Sequence, residues 1–321
     1  MNMESNAVPD SPLHAQAVTP AALSPTRPLY WSVRRELWEN RSIYIAPLAV
    51  GAVYLVGFLI SLYWLPRSVR ALISSHRLAT LNPAQEILIQ LAMPYAHTGM
   101  LLTFVGFLVG IFYSLDALHS ERRDRSILFW KSLPVSDLAT VLSKAVIPLV
   151  ILPVLVLAVT IPLQIVMRLL SAAVLLMSGA STATPWGPPL FEMQVVLLYG
   201  LIVIALWHAP LYMWMLLVSG WARRATFLWA VLPPLAIAAL EYIAFHTSYL
   251  GVMLQDRLFG FAARAFDLKD KNGVEIDAHF IPLEQLAPGR FVSSPSLWLG
   301  LIFAAIFFAL AVRMRRYREP L

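Results

Sequence analysis

The chain has 321 residues, 59% of them apolar and only 13% charged, with a formal net charge of +6, and its mean hydropathy is +0.70. Soluble globular chains carry about a quarter charged residues, so this composition excludes a cytosolic enzyme and a disordered regulator and makes lipid the solvent for most of the protein. There is no Cys, hence no disulfide framework, thiolate metal site or cysteine nucleophile; the basic residues fall between apolar runs and read as a topology signal rather than a nucleic-acid footprint.

Residues 1–27 are rich in Pro, Ala and Ser without an apolar run, which predicts a disordered cytoplasmic tail and no cleavable signal. Residues 28–44 are expected to form an interfacial helix. Within it Leu29, Tyr30, Val33 and Leu37 fall on one helical face, Trp31 and Trp38 stand a heptad apart beside it, and Arg34 and Arg35 are available to anionic lipid. A plain polar flank that anchors the first span is the alternative.

A bilayer crossing needs about 20 mainly apolar residues. Ile45–Leu65, Tyr95–Leu118, Ala145–Met167, Val195–Ser219, Thr226–Phe245 and Leu297–Val312 meet that length or approach it. The predicted class is therefore an all-α integral membrane protein with six transmembrane helices over residues 45–313 and a basic tail at 314–321. Pro148, Pro153 and Pro162 in the third span predict a kinked helix packed against protein. Fifteen of the 24 Lys and Arg residues lie in segments on the side that holds both ends, against nine on the other; this bias predicts both termini in the cytoplasm.

The inner loop Glu121–Lys144 opens Glu121-Arg122-Arg123-Asp124-Arg125 and continues without a break into Ile127, Leu128, Phe129 and Trp130. Four consecutive large apolar side chains point all around a helix, so a short element carrying them needs a second protein surface; a basic loop serving topology alone does not account for them. Pro134 ends the element, and Ser136 with Asp137 is placed to cap the helix that enters the third span. The outer segment 248–295 begins with apolar pieces suited to helices that dip into or lie on the outer interface. It continues through a polar stretch, 267–291, where Asn272-Gly273 predicts a small hairpin.

No Gly is followed by Lys, so the phosphate-cradling loop of P-loop ATPases is missing, and neither His-Glu-x-x-His nor Gly-x-Ser-x-Gly occurs. The histidines are mostly near span ends. Glu241 is the ionisable residue best placed inside a span, where a carboxylate costs on the order of 2.5–3.5 kcal/mol and must face protein or water. It either lines a substrate path or hydrogen-bonds a neighbouring helix near the Pro233-Pro234 break. Gly106-x-x-x-Gly110 permits close helix contact, as a dimer seam or inside the chain.

These elements together resemble the permease subunit of an ABC-2-type exporter. The likeness spans roughly Leu29 to Val312: the interfacial helix, the six spans, the Glu121-Arg122-Arg123 opening, the Leu133-Pro134-Val135-Ser136 turn and the long outer segment. Asp124-Arg125 stand where family members often carry Gly, and 267–291 has no counterpart in the general pattern. The resemblance implies a coupling helix between spans two and three seated in a cytoplasmic ABC ATPase, and outer helices that re-enter the membrane. It also implies two permease chains, identical or paralogous, working with two ATPase subunits in a bacterial inner membrane, with Mg-ATP on the ATPases and no cofactor or catalysis on this chain. Glu121, Arg122, Arg123, Ile127, Leu128, Phe129, Trp130, Leu133 and Pro134 would make the coupling contact. A hydrophobic or amphipathic substrate would leave the cytoplasm or inner leaflet. An ion-coupled secondary transporter and an intramembrane enzyme remain alternatives on the sequence.

Overall fold

The computed structural model describes residues 26–68, 83–124, 136–177, 189–267 and 281–317. All regular elements among them are helical, and the one sheet-like pairing among them is an isolated antiparallel bridge between Phe266 and Leu286. In chain order the helices are α1 (Thr26–Glu39), α2 (Ser42–Leu62), α3 (Pro83–Asp116), α4 (His119–Arg123) and α5 (Asp137–Val146). A π-helical turn (Ile147–Ile151) leads into α6 (Leu152–Met177). Next come α7 (Leu190–Trp221), α8 (Thr226–Phe245), α9 (Tyr249–Phe259) and α10 (Phe261–Ala265). A 3-10 turn (Leu283–Gln285) precedes α11 (Pro288–Val292) and α12 (Pro295–Tyr317).

Six stretches are long and apolar enough to cross a membrane: Ser42–Leu62, Ala92–Arg123, Asp137–Met177, Leu190–Trp221, Thr226–Phe245 and Pro295–Tyr317. They are the six the hydropathy picks out, with several extended at their ends. Hydropathy detects only the part of a helix that lipid solvates, whereas polar turns such as Asp137–Lys144 stay helical because they pack on protein. Ser136 caps that turn by accepting from Ala139 N–H at 3.2 Å.

Prolines interrupt the spans, and other groups take up the consequences. Pro148 has no N–H to return to the preceding turn, and the helix widens into the π segment there. Pro234 leaves the Ala230 carbonyl without its helical donor, and Trp214 of α7 donates its indole N–H to it at 2.9 Å. Other side-chain bonds near Pro94 add ties that do not replace a bond lost to proline: the hydroxyls of Tyr54 and Thr98 both donate to the Pro94 carbonyl at 2.8 Å, and Gln164 donates to Tyr95 O at 2.9 Å. In lipid a carbonyl freed by proline must find its donor on protein, since water is absent. The Tyr54 and Gln164 bonds tie α2 and α6 to α3, and the Trp214 bond ties α7 to α8.

One apolar core runs through Ile43, Tyr113, Leu118, Val141, Ile147, Leu152 and Leu216, at the end where α1, the start of α5 and the last turn of α12 meet. That end is called the base. A second cluster at the opposite end joins Phe58 and Leu62 to Tyr95 and Met167, and a third sets Trp207 and Val203 of α7 against Phe266, Phe291 and Leu297. In α8 only Ala230 is buried. The hairpin expected at Asn272-Gly273 lies outside the described residues.

Candidate functional site: a buried ion cluster at the base

Six charged side chains from four helices converge at the base. Glu36 of α1 meets Lys144 of α5 at 2.8 Å; the same ammonium lies 3.2 Å from Glu121 of α4. The other carboxylate oxygen of Glu121 is 3.4 Å from Arg315 of α12, and Arg315 reaches Asp137 at the start of α5 at 2.9 Å. Arg35 lies 3.7 Å from Glu121 while gripping Glu39 at 2.6 Å. Tyr113 donates its hydroxyl to Glu36 at 2.8 Å. Three cations (Arg35, Lys144, Arg315) thus balance Glu36, Glu121 and Asp137.

The placement follows from helical geometry. Glu36 lies on the same face of α1 as Val33 and Leu37, which pack into the basal core, so its carboxylate is carried inward with them. Lys144 emerges on the packed side of α5 beside Val141 and Ala145. Side chains this deeply enclosed (Lys144 and Glu36 each 2% exposed) are retained only when paired, because an isolated buried charge costs several kcal/mol.

Of the loop-opening residues, Glu121 and Arg122 are turned into the bundle and Arg123 is turned out, where it pairs with Asp124 at 3.1 Å. Arg122 donates to Gly220 O at 2.9 Å and Ala222 O at 3.3 Å, holding the last carbonyls of α7. Ser219 accepts from Leu118 N–H at 3.3 Å on the same seam. Ile127, Leu128, Phe129, Trp130, Leu133 and Pro134 lie outside the described residues. The described helices on either side of residues 125–135 are joined to the cluster, α4 by Glu121 and α5 by Asp137.

On α1 the four residues grouped by sequence divide. Arg35 faces the cluster; Trp31, Arg34 and Trp38 face outward.

Toward the other end, Glu241 closes a tight turn. Its carboxylate accepts from Thr247 Oγ1 at 2.9 Å, Tyr249 N at 2.7 Å and Leu250 N at 2.9 Å, capping the first turn of α9 across a left-handed His246 (φ 52°). Of its two readings, hydrogen bonding is the one the geometry presents, with the acceptor role directed at α9. The C-terminal end of α9 is locked onto α7 and α12. Trp207 donates to Arg257 O at 3.0 Å; Arg257 donates to Trp207 O at 3.2 Å and Ser296 O at 2.8 Å, with its guanidinium 4.4 Å from the indole. Burial draws that guanidinium down from its ordinary range, Asp256 acts against the shift, and Arg264 adds to it; it stays charged. A Cβ on Gly300 would stand 2.6 Å from the guanidinium, so a side chain at this position of α12 displaces Arg257 from its present seat. His208 is buried beside the lock, its Nε2 3.3 Å from Leu258 O, inside the bundle rather than at an interface.

Gly106 and Gly110 both face the interior: a Cβ at Gly106 would come 2.7 Å from Val156 of α6, and one at Gly110 2.9 Å from Tyr212 of α7. Beside them is an apolar cavity of about 20 Å³ lined by Thr103, Gly106, Phe107, Pro148, Val156 and Tyr212, room for one water and not for a solute. No group of three or more His, Asp or Glu among the described residues could hold a metal ion.

Comparisons of the chain with protein-family models, curated proteins and solved structures find no match. Six helices nevertheless have the length and apolarity of membrane spans. The residues that sequence reasoning missed are Glu36, Asp137, Lys144 and Arg315. The available signal was opposite charges at the ends of separate spans, with Glu36 breaking the apolar face of α1, but pairing them required the fold.

Proposed function

We propose that this chain is the membrane-spanning subunit of an ATP-driven exporter of the ABC-2 type. It moves a hydrophobic or amphipathic substrate out of the cytoplasm or inner leaflet of a bacterial inner membrane, with both termini cytoplasmic. ATP hydrolysis occurs on two separate cytoplasmic ATPase subunits that hold Mg-ATP, and a second permease, a copy or a paralogue, completes the particle. The observation that carries this reading is the attachment of both flanks of the apolar Ile127–Trp130 segment to one buried ion cluster. A push delivered to that segment reaches α1, α4, α5 and α12 together through Glu121 and Asp137. A rigid, paired cluster passes on displacement that a solvated loop would absorb.

The test is purification of the tagged chain from its native membrane under mild detergent. An ATP-binding protein with a P-loop is expected to copurify and to hydrolyse Mg-ATP in the complex. Phe129→Asp is expected to abolish copurification while membrane insertion stays normal. Retention of the same ATPase by Phe129→Asp and Trp130→Ala refutes the docking assignment, and no copurifying ATPase refutes the exporter reading.

A further inference from the structure

The inward face of α1 belongs to the ion cluster and basal core; its outward face is built differently. Trp31, Arg34 and Trp38 follow the i, i+3, i+7 spacing of a single stripe. Trp31 is 56% and Trp38 65% exposed, and the Arg34 guanidinium carbon lies 5.1 Å from one indole and 4.7 Å from the other. Arg35, the next residue, faces the other way and is committed to Glu39 and Glu121. No carboxylate among the described residues pairs with Arg34. Exposed Arg41 continues the positive charge where α1 joins α2.

The level of the stripe is fixed by α2. This helix of 21 residues rises about 32 Å, close to the roughly 30 Å of a bilayer's hydrocarbon core. At its far end Arg67 lies 5.4 and 5.2 Å from the rings of Tyr63 and Trp64. Two arginine–aromatic groupings therefore bracket one membrane thickness, as side chains at the two headgroup layers do, and α1 lies at the basal one.

We propose that Trp31, Arg34 and Trp38 form a binding site for an anionic phospholipid headgroup of the basal leaflet. The planar guanidinium supplies donors to the phosphate, and the indoles bed the glycerol and first methylenes. Charge complementarity and continuity with the lipid-facing side of α2 argue for this occupant. A headgroup seated there presses α1, and with it Glu36, against the cluster. The site rests on the membrane-spanning helices and not on the ATPase reading, so either can fail without the other.

Because the chain has no Cys, a single Tyr30→Cys variant can carry a bimane label, which neighbouring indoles quench; Tyr30 is 60% exposed. The full chain in neutral detergent is titrated with short-chain phosphatidylglycerol, short-chain phosphatidylcholine and inorganic phosphate. Phosphatidylglycerol is expected to change the emission saturably, phosphatidylcholine at least about tenfold more weakly, and phosphate not at all. Arg34→Gln is expected to weaken phosphatidylglycerol about tenfold, the scale of one charge-assisted contact, and Arg34→Lys to keep part of the preference. Equal responses to the two lipids, or an Arg34→Gln titration that overlays the parent, overturns the site. Saturation by phosphate alone shows a simple anion site and overturns the lipid assignment.

Discussion

Replacing Lys144 by Met removes the cation that Glu36 and Glu121 share and leaves side-chain volume nearly unchanged. Both carboxylates are almost fully enclosed, at 2% and 5% exposure. Glu121 keeps Arg315 at 3.4 Å and Arg35 at 3.7 Å; among the described residues Glu36 keeps the neutral donors Tyr113 and Asn40. Breaking a buried pair from one side costs about 3–5 kcal/mol, because the surviving charge stays desolvated. The double variant Glu36→Gln/Lys144→Met removes one charge of each sign, retains an acceptor for Tyr113, and is expected to lie within about 1–2 kcal/mol of the parent. The assay is reversible unfolding in mixed micelles of rising SDS fraction, read by circular dichroism for the parent, both single variants and the double. The expected outcome is a large coupling energy of rescuing sign. A Lys144→Met cost below about 1 kcal/mol, typical of a solvated ion pair, or a double variant equal to the sum of the singles, refutes the cluster as an interdependent unit.

Two further substitutions probe the hairpin at the opposite end. Gly300→Ala is expected to expel the Arg257 guanidinium and break its bonds to Trp207 O and Ser296 O, a loss of about 2 kcal/mol; thiol labelling of a single cysteine at position 259 should then accelerate, and an unchanged rate shows that the lock does not hold the C-terminal end of α9. Glu241→Gln keeps the shape of the cap on α9 but removes its charge, and is expected to raise protease sensitivity around residues 246–248 without changing the spans. If instead it leaves proteolysis unaltered and abolishes transport in the reconstituted complex, Glu241 acts on substrate and not on the turn.

Much of the architecture is legible along the chain. The six spans follow from runs of apolar residues alone, since crossing lipid demands a length of continuous apolar helix whatever the neighbours do. The cap at Ser136 and the disturbance at Pro148 are likewise local, set by a hydroxyl three residues from an N–H and by a missing donor. Glu121-Arg122-Arg123 shows the limit. As sequence it is a hydrophilic run placed to meet a partner; in the fold its first two side chains enter the bundle, because partners for them exist only where α4, α5, α7 and α12 converge. Periodicity likewise gives the two faces of α1 but not which one meets protein: Val33 and Leu37 go inward with Glu36, and Trp31 and Trp38 stay out around Arg34.

Composition and hydropathy, then, determine that the chain forms six helices long and apolar enough to cross a membrane and roughly where each begins, because those properties depend on each segment's own transfer from water to lipid. Which charges neutralise one another, which glycines face a neighbour, and that Arg257 fits only because Gly300 has no side chain were decided by tertiary structure. Those facts depend on distances between residues up to 194 positions apart in the chain, and a buried charge is tolerable only at the one arrangement where its counter-ion arrives from another helix.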